Sequence, residues 1–353
     1  MAYTTIDKPS DYFNTKLYTG TGSSHAITGV GFAPNWVWIK HRDEANPHKI
    51  FDTVRGVGKS LKSNSSDAQA SNEENGYVSA FGSDGFTVVG GSTSSNDVNK
   101  SSGTYVAWNW KAGTSFTNDA SSTGIGSIDS AGSVNTDAGF SIVSYTGNSP
   151  TATTVKHGLN SVPQMIIFKR RVGAGNFTVY HQSLGNTKGI FLTTTAASDT
   201  SAGYFNNTTP TSSVFSVANS GDTNSNGNAM IAYCFAEKQG YSKFGSYTGN
   251  GDSDGAFVYT GFKPAFVIFK RSSGTGNWQL LDNKRLGYNV ENRTIYPNSA
   301  LEEQDENDAD LLSNGFKLRG SGTDGNGSGS TYIYMAFAEN PLVTSTGVPA
   351  MAR

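Results

Sequence analysis

The chain carries one cysteine, Cys234, in 353 residues. A single thiol excludes an intrachain disulfide framework and any zinc centre built on cysteines, because both need several. Charge is scarce too. Asp, Glu, Lys and Arg make up 15% of the residues and the formal net charge is −2. No basic stripe is present to displace counterions from a phosphate backbone, so nucleic acid is not expected as a partner. No apolar run reaches the roughly eighteen residues of a membrane span, and membrane insertion is not expected. The opening stretch MAYTTIDKPSDYF lacks the basic start and apolar core of a secretory signal. Hydrophobic residues are only 35% of the chain, yet aromatics are 12% and the charge is nearly balanced. A disordered chain combines low hydrophobicity with few aromatics and high net charge, so this composition predicts folded β-structure with many polar turns.

Glycine is abundant, at 42 residues, and the chain repeats itself. Three Tyr-Thr-Gly turns occur, at Tyr18-Thr19-Gly20, Tyr145-Thr146-Gly147 and Tyr247-Thr248-Gly249. Each is followed by a Pro-led apolar stretch: GFAPNWVWIKHR at 31–42, GLNSVPQMIIFKRR at 158–171 and GFKPAFVIFKRS at 261–272. A second stretch (IFDTVRG, NFTVYHQSLG, NWQLLDNKRLG) and a third around Phe86, Phe215 and Phe316 come next. The closing stretch reads YVAWNWKA, MIAYCFAE and YIYMAFAE. Pro34 to Pro163, Lys40 to Lys169 and Phe86 to Phe215 are each 129 residues apart; the following interval is 101 for all three anchors. Constant offsets across several anchors mark a duplicated unit.

The apolar stretches are short, rich in Val, Ile and aromatics, and bounded by Gly, Asn, Asp and Pro, which predicts strands. Val106, Trp108 and Trp110 alternate with small or polar residues, a pattern expected of a sheet with one face on the core and one in solvent. The reading is an all-β protein of three tandem β-sandwich-like repeats of about a hundred residues each. They are placed at 12–113, 140–240 and 241–342, with an N-terminal arm at 1–11 and a C-terminal tail at 343–353. Residues 114–139 are Ser- and Gly-rich without an apolar face and read as a linker. The second and third repeats abut near Gly240 and are expected to form a rigid pair. The stretch 298–313 offers a capping residue and an acidic first turn, signals of a short helix or an acidic loop.

Motifs for chemistry are thin. GVGKS at 56–60 lacks the first glycine of a phosphate-binding loop, because position 53 is Thr53, and reads as a polar loop. DTNSNG at 222–227 resembles the start of a calcium loop, but the twelfth position is Tyr233 and not a glutamate, so a turn is expected. The acidic run from Glu302 to Asp310 supplies carboxylates suited to a cation, although a solvated loop is the default. His25, His41, His48, His157 and His181 show no metal-ligand spacing. Trp36, Trp38, Trp108, Trp110 and Trp278 suit either sugar stacking or packing, and their alternation favours packing. The sharpest recurring polar feature is the basic strand end: Lys40 with Arg42, Lys169 with Arg170 and Arg171, and Lys270 with Arg271. These residues are candidates for a surface contact with an anion or acidic sugar, or for charges that block edge pairing. No cofactor and no catalytic constellation is expected.

The Tyr-Thr-Gly turns, the Pro-led strands ending in Lys-Arg, and closing strands such as AYCFAE and MAFAE resemble a repeated domain of virion structural proteins in tailed bacteriophages, marine ones especially. Stretches such as KHGLNSVPQMIIFKRR, YHQSLGNTKGIF and GYSKFGSYTGNG carry the resemblance, which spans about 12–342. It implies a non-enzymatic particle component made in the host cytoplasm, of tail-fibre or tail-associated type and serving assembly and host attachment. A head decoration or capsid fibre, and a tail depolymerase acting on glycan, are the alternatives. The implied partners are other copies of the chain, as in a trimer, other virion proteins, and a host surface glycan or protein. Residues 1–12 or the first repeat are the expected attachment end, and both chain ends are expected to be clasped by neighbouring chains.

Overall fold

The computed structural model describes residues 4–93, 96–150, 152–285 and 291–341. The expected tail at 343–353 lies outside the described residues. Antiparallel sheet dominates, and the described helices are short turns such as Ala120–Thr123 and Ala202–Phe205.

Three sheets share one strand order. In the first segment the order in space is Phe13–Thr19, Thr104–Trp110, Trp36–His41, Lys49–Asp52. In the second it is Phe140–Thr146, Ala229–Phe235, Met165–Arg170, Thr178–His181, and in the third Ser242–Thr248, Thr331–Pro341, Phe262–Arg271, Trp278–Asp282. Each time the strand ending in Tyr-Thr lies beside the closing strand, which lies beside the Pro-led strand. Pro264 falls inside its strand where the register shifts, the place a residue without an N–H is tolerated.

These sheets are buried on both faces. Alternate residues of the Pro-led strands, Trp36 and Trp38, Met165 and Ile167, Phe266 and Ile268, all enter one central core. The residues between them enter three separate outer cores: Val37 and Ile39 in one, Ile166 and Phe168 in another, Val267 and Phe269 in the last. Smaller outer sheets cover those faces. They are His25–Thr28, Gly85–Val89 and Tyr77–Gly82 in the first segment, and Thr153–Lys156 with Val214–Val217 in the second. The third outer sheet holds Phe257–Tyr259, Gly315–Leu318, Gln304–Leu312 and Glu291–Thr294. The expectation of one solvated face is therefore corrected: Tyr105, Ala107 and Asn109, alternating with Val106 and Trp108, are all fully buried. Alternation of large with small or polar residues here separates two cores of different thickness, not core from water.

The central core is aromatic and drawn from all three segments. Trp36 stacks on Tyr233 at 4.8 Å, Phe13 on Phe337 at 5.3 Å, and Phe13 also meets Phe266 edge-on at 5.4 Å. Offset and edge-on rings at these separations add to the burial gain.

Three expectations about connections are corrected. Residues 114–139 are not a linker: Thr114–Asn118 and Ser130–Asn135 pair with each other and extend the second sheet through Phe140–Thr146. Their few apolar residues, Phe116, Ile128 and Val134, pack on the outer core of that segment. Gly132 sits where a Cβ would lie 2.0 Å from Ile142 O, so the Gly-rich composition reflects close strand approach and not flexibility. The expected N-terminal arm does not stand apart from the repeats where it is described, at residues 4–11, because Ile6 is 1% exposed within the central core. The stretch 298–313 is neither helix nor loop throughout. Gln304–Leu312 is a strand whose Ala309 and Leu311 face the third outer core.

Candidate functional site

The basic strand ends follow the alternation of their strands. Lys40 continues the Trp36–Trp38 face, Lys169 the Met165–Ile167 face and Lys270 the Phe266–Ile268 face, and all three are fully buried. Each ammonium is met by main-chain carbonyls. Lys40 Nζ donates to His41 O at 2.6 Å and Glu44 O at 3.2 Å. Lys169 Nζ donates to Gly175 O at 2.5 Å and Ser66 O at 3.1 Å; Lys270 Nζ donates to Arg271 O at 2.6 Å and Thr195 O at 3.3 Å. Burial pushes all three down to about 8. They are structural plugs. A surface contact through these lysines is excluded by their burial. The edge-guard reading is corrected as well, since each Pro-led strand has a partner on both sides.

The arginines beside them stitch the segments together or line turns. Arg42 pairs with Glu303 through Nε at 2.8 Å and a second nitrogen at 2.9 Å. Arg171 Nε donates to Gln69 Oε1 at 2.9 Å, and Arg170 reaches Ser225 Oγ at 3.4 Å. Arg271 lies half-buried beside Gly274. The backbone repeats one bond at all three junctions. Gln69 N donates to Arg171 O at 3.0 Å, Ser198 N to Ser272 O at 3.0 Å, and Glu303 N to Arg42 O at 2.9 Å. First meets second, second meets third, and third meets first.

The Tyr-Thr-Gly turns are also structural. The tyrosine hydroxyls of Tyr18 and Tyr247 donate at 2.7 Å to Val98 O and Gly325 O, and Tyr145 at 2.5 Å to Thr223 O. The next residue in each target loop is a buried asparagine, Asn99, Asn326 or Asn224, whose side chain accepts from the residue after the turn glycine. A Cβ on Gly20, Gly147 or Gly249 would stand 2.1 to 2.5 Å from a carbonyl oxygen of that loop. DTNSNG thus anchors a turn, through Thr223 O and the Asn224 side chain, as the loops of Asn99 and Asn326 do. GVGKS ends in the strand Lys59–Ser60 and the next element is the strand Ala70–Ser71, not a helix, so no phosphate loop is built. All five tryptophans are buried, which removes them as sugar platforms.

Buried ionic groups that the sequence reading missed lie at the ends of the second strands. Asp52 and Arg55 form an ion pair at 2.5 Å, and Asp282 and Arg285 one at 2.7 Å, with all four side chains inaccessible. The repeated D-x-x-R in IFDTVRG and LLDNKR was the available signal. Across the junctions Tyr233 Oη donates to Asp52 and Trp108 Nε1 to Asp282.

The described cavity with the most chemical content lies in the third segment, with a volume of about 380 Å³. Carboxylates of Asp308, Asp324 and Glu306 line it with Gln279, Asn277 and Tyr296. Gln279 Nε2 donates to Asp308 Oδ1 at 3.1 Å, Asn277 Nδ2 to Asp324 Oδ2 at 2.9 Å, and Tyr296 Oη to Glu306 at 2.5 Å. Thr294 Oγ1 donates to the other Asp308 oxygen. Burial, aided by Glu306 and Asp324, pushes Asp308 up to about 6. This cavity holds part of the acidic run. Two further members are engaged elsewhere, Glu303 with Arg42 and Asp310 with Arg319. Among the described residues no group of three or more His, Cys, Asp or Glu is arranged to hold a metal ion.

No curated protein and no solved structure matches the chain. A family model described as a domain of unknown function, DUF7483, matches residues 8–341, and the chain belongs to that family.

Proposed function

We propose that the chain is three copies of one β unit closed into a ring about a pseudo-threefold axis, serving as a non-enzymatic structural protein of a tailed-phage particle, of tail-fibre or tail-associated type. The observation that carries the reading is the junction bond made three times over, from Gln69, Ser198 and Glu303 to the carbonyl two residues after Lys169, Lys270 and Lys40. Donors and acceptors keep offsets near those of the sequence anchors, as one duplicated interface requires. The polar features that recur are spent on holding the ring together: lysines on carbonyls, tyrosines and asparagines on the turns. A chain whose repeated chemistry is all internal suits a rigid building block whose polar outer loops carry the contacts.

A ring closed within one chain places its threefold symmetry inside the monomer. Association with further copies, with other virion proteins or with a host surface glycan or protein then falls to the outer loops. Cryo-electron microscopy and mass spectrometry of purified particles test the assignment. Density for the ring on the tail supports it, density on the head selects a decoration protein instead, and absence of the chain from particles ends the virion reading. Release of reducing ends from host polysaccharide by the purified chain would replace it with a depolymerase.

A further inference from the structure

The cavity of the third segment has a counterpart in the first that is already filled. Lys49 pairs with Ile39, the residue before Lys40, and Gln279 pairs with Phe269, the residue before Lys270. Lys49 and Gln279 therefore hold the same register position. Asp97 and Asp324 correspond in the same way, each lying two residues before the buried turn asparagine, Asn99 or Asn326. In the first segment the Lys49 ammonium lies 3.1 Å from Asp97 and is also paired with Glu73, with its side chain inaccessible. In the third segment the position carries a neutral amide facing Asp308 near Asp324, and no Lys or Arg lines the space.

The amide itself reports a missing donor. Gln279 is 2% exposed; its Nε2 is spent on Asp308, and its Oε1 has no hydrogen-bond partner. The carboxylate accepts only, which fixes the amide in this sense. An acceptor left unpaired in a buried wall costs free energy until a donor arrives. Gly325 beside it leaves room, since a Cβ there would come within 2.8 Å of Oε1. Leu318 and the Tyr296 ring supply apolar wall for methylene groups.

We propose that this cavity binds a lysine-like primary alkylammonium from a partner protein, taking the place that Lys49 Nζ fills in the first segment. The ammonium donates to Gln279 Oε1 and to the Asp308 and Asp324 carboxylates, while the alkyl stem lies on Leu318 and Tyr296. Three N–H donors match one amide oxygen and two carboxylates. A metal ion is the poorer occupant, given that the described carboxylates are not arranged around a common centre.

The test titrates the full chain with n-butylammonium and follows binding by calorimetry and by side-chain NMR, with n-butanol, glucosamine and Ca²⁺ as parallel arms. Saturable binding of n-butylammonium alone is expected, weakened about tenfold or more in Asp324→Asn, because a hydrogen bond to a charged partner is lost. Gln279→Lys is the decisive variant: its own ammonium fills the site, so binding disappears while the protein stays folded and its melting temperature rises. Equal binding of n-butanol, preference for Ca²⁺ or glucosamine, or undiminished n-butylammonium binding in folded Gln279→Lys overturns the proposal.

Discussion

Tyr233 donates its hydroxyl to Asp52 Oδ2 at 2.8 Å, joining the closing strand of the second segment to a carboxylate buried in the first. Asp52 also holds Arg55, so the hydroxyl is one of several donors on a fully desolvated anion. Tyr233→Phe is expected to cost about 1.5–3 kcal/mol, the range for a lost hydrogen bond to a charged group. Asp52→Ala leaves the Arg55 guanidinium buried without its counter-ion and is expected to cost about 3–5 kcal/mol. Urea denaturation followed by tryptophan fluorescence measures both, and equal losses would contradict the ranking.

Acid is expected to loosen the molecule through its histidines. His157 and His181 are each held down to about 4 by burial, against an ordinary value of 6.5. In both, Nδ1 accepts a backbone N–H and Nε2 donates to a carbonyl, Thr211 O or Tyr334 O, an arrangement that needs the neutral ring. The unfolded chain binds these protons from about pH 6.5 downward, and the folded one only near pH 4. Stability is therefore full above about 6.5 and falls as the pH drops to about 4, by on the order of 3 kcal/mol per histidine. Thermal melts from pH 7 to 4 measure the slope, and His181→Gln should flatten it.

Lys169 bridges Gly175 O to Ser66 O across the junction of the first and second segments. Lys169→Met keeps the stem but strips both carbonyls of their donor, with an expected loss of about 1–3 kcal/mol at pH 7. The lysine's own titration has the same sign as that of the histidines, in a higher pH window. With the folded group at about 8 and the ordinary value at 10.5, the folded state binds fewer protons between those limits. Wild-type stability should consequently gain from this site as the pH rises from 8 to 10.5, and Lys169→Met should lack that gain in denaturant titrations.

Gly147 lies where a Cβ would stand 2.3 Å from Ser225 O. Gly147→Ala forces strand and loop apart and is expected to cost about 1–3 kcal/mol, as overpacking does. If the three segments are copies of one unit, Gly20→Ala and Gly249→Ala should cost similar amounts. A loss confined to one of the three in denaturation curves would argue against equivalence.

Much of the framework was legible in the residues. Short apolar ladders and fixed offsets located the strands, because a strand's pattern is local. The face of each basic strand end was also legible: extending Trp36–Trp38 by two residues reaches Lys40, on the core side. The residue type suggested a surface, and only the carbonyls waiting around the ammonium, some from another segment, reverse that. Residues 114–139 looked featureless because their order comes from a neighbouring ladder and from a glycine that admits it. The stretch 298–313 read as a helix or an acidic loop because acidic residues mark helix starts; the partners of Glu303 and Asp310, Arg42 and Arg319, lie just past the ends of other strands. The cavity beside Gln279 needed two facts together, the register shared with Lys49 and the nearness of Asp308, and the second exists only in three dimensions.

The shared aromatic core sets how the molecule bears load. In a linear array each unit leans only on its neighbours, so a pull can peel one away and leave the rest intact. Here Phe13, Trp36, Tyr233 and Phe337 interlock at one hub, and detaching any segment strips two junctions and empties the centre at once. Under tension the chain should hold as a single body and then give way in one step, behaviour suited to a part that transmits force without changing shape.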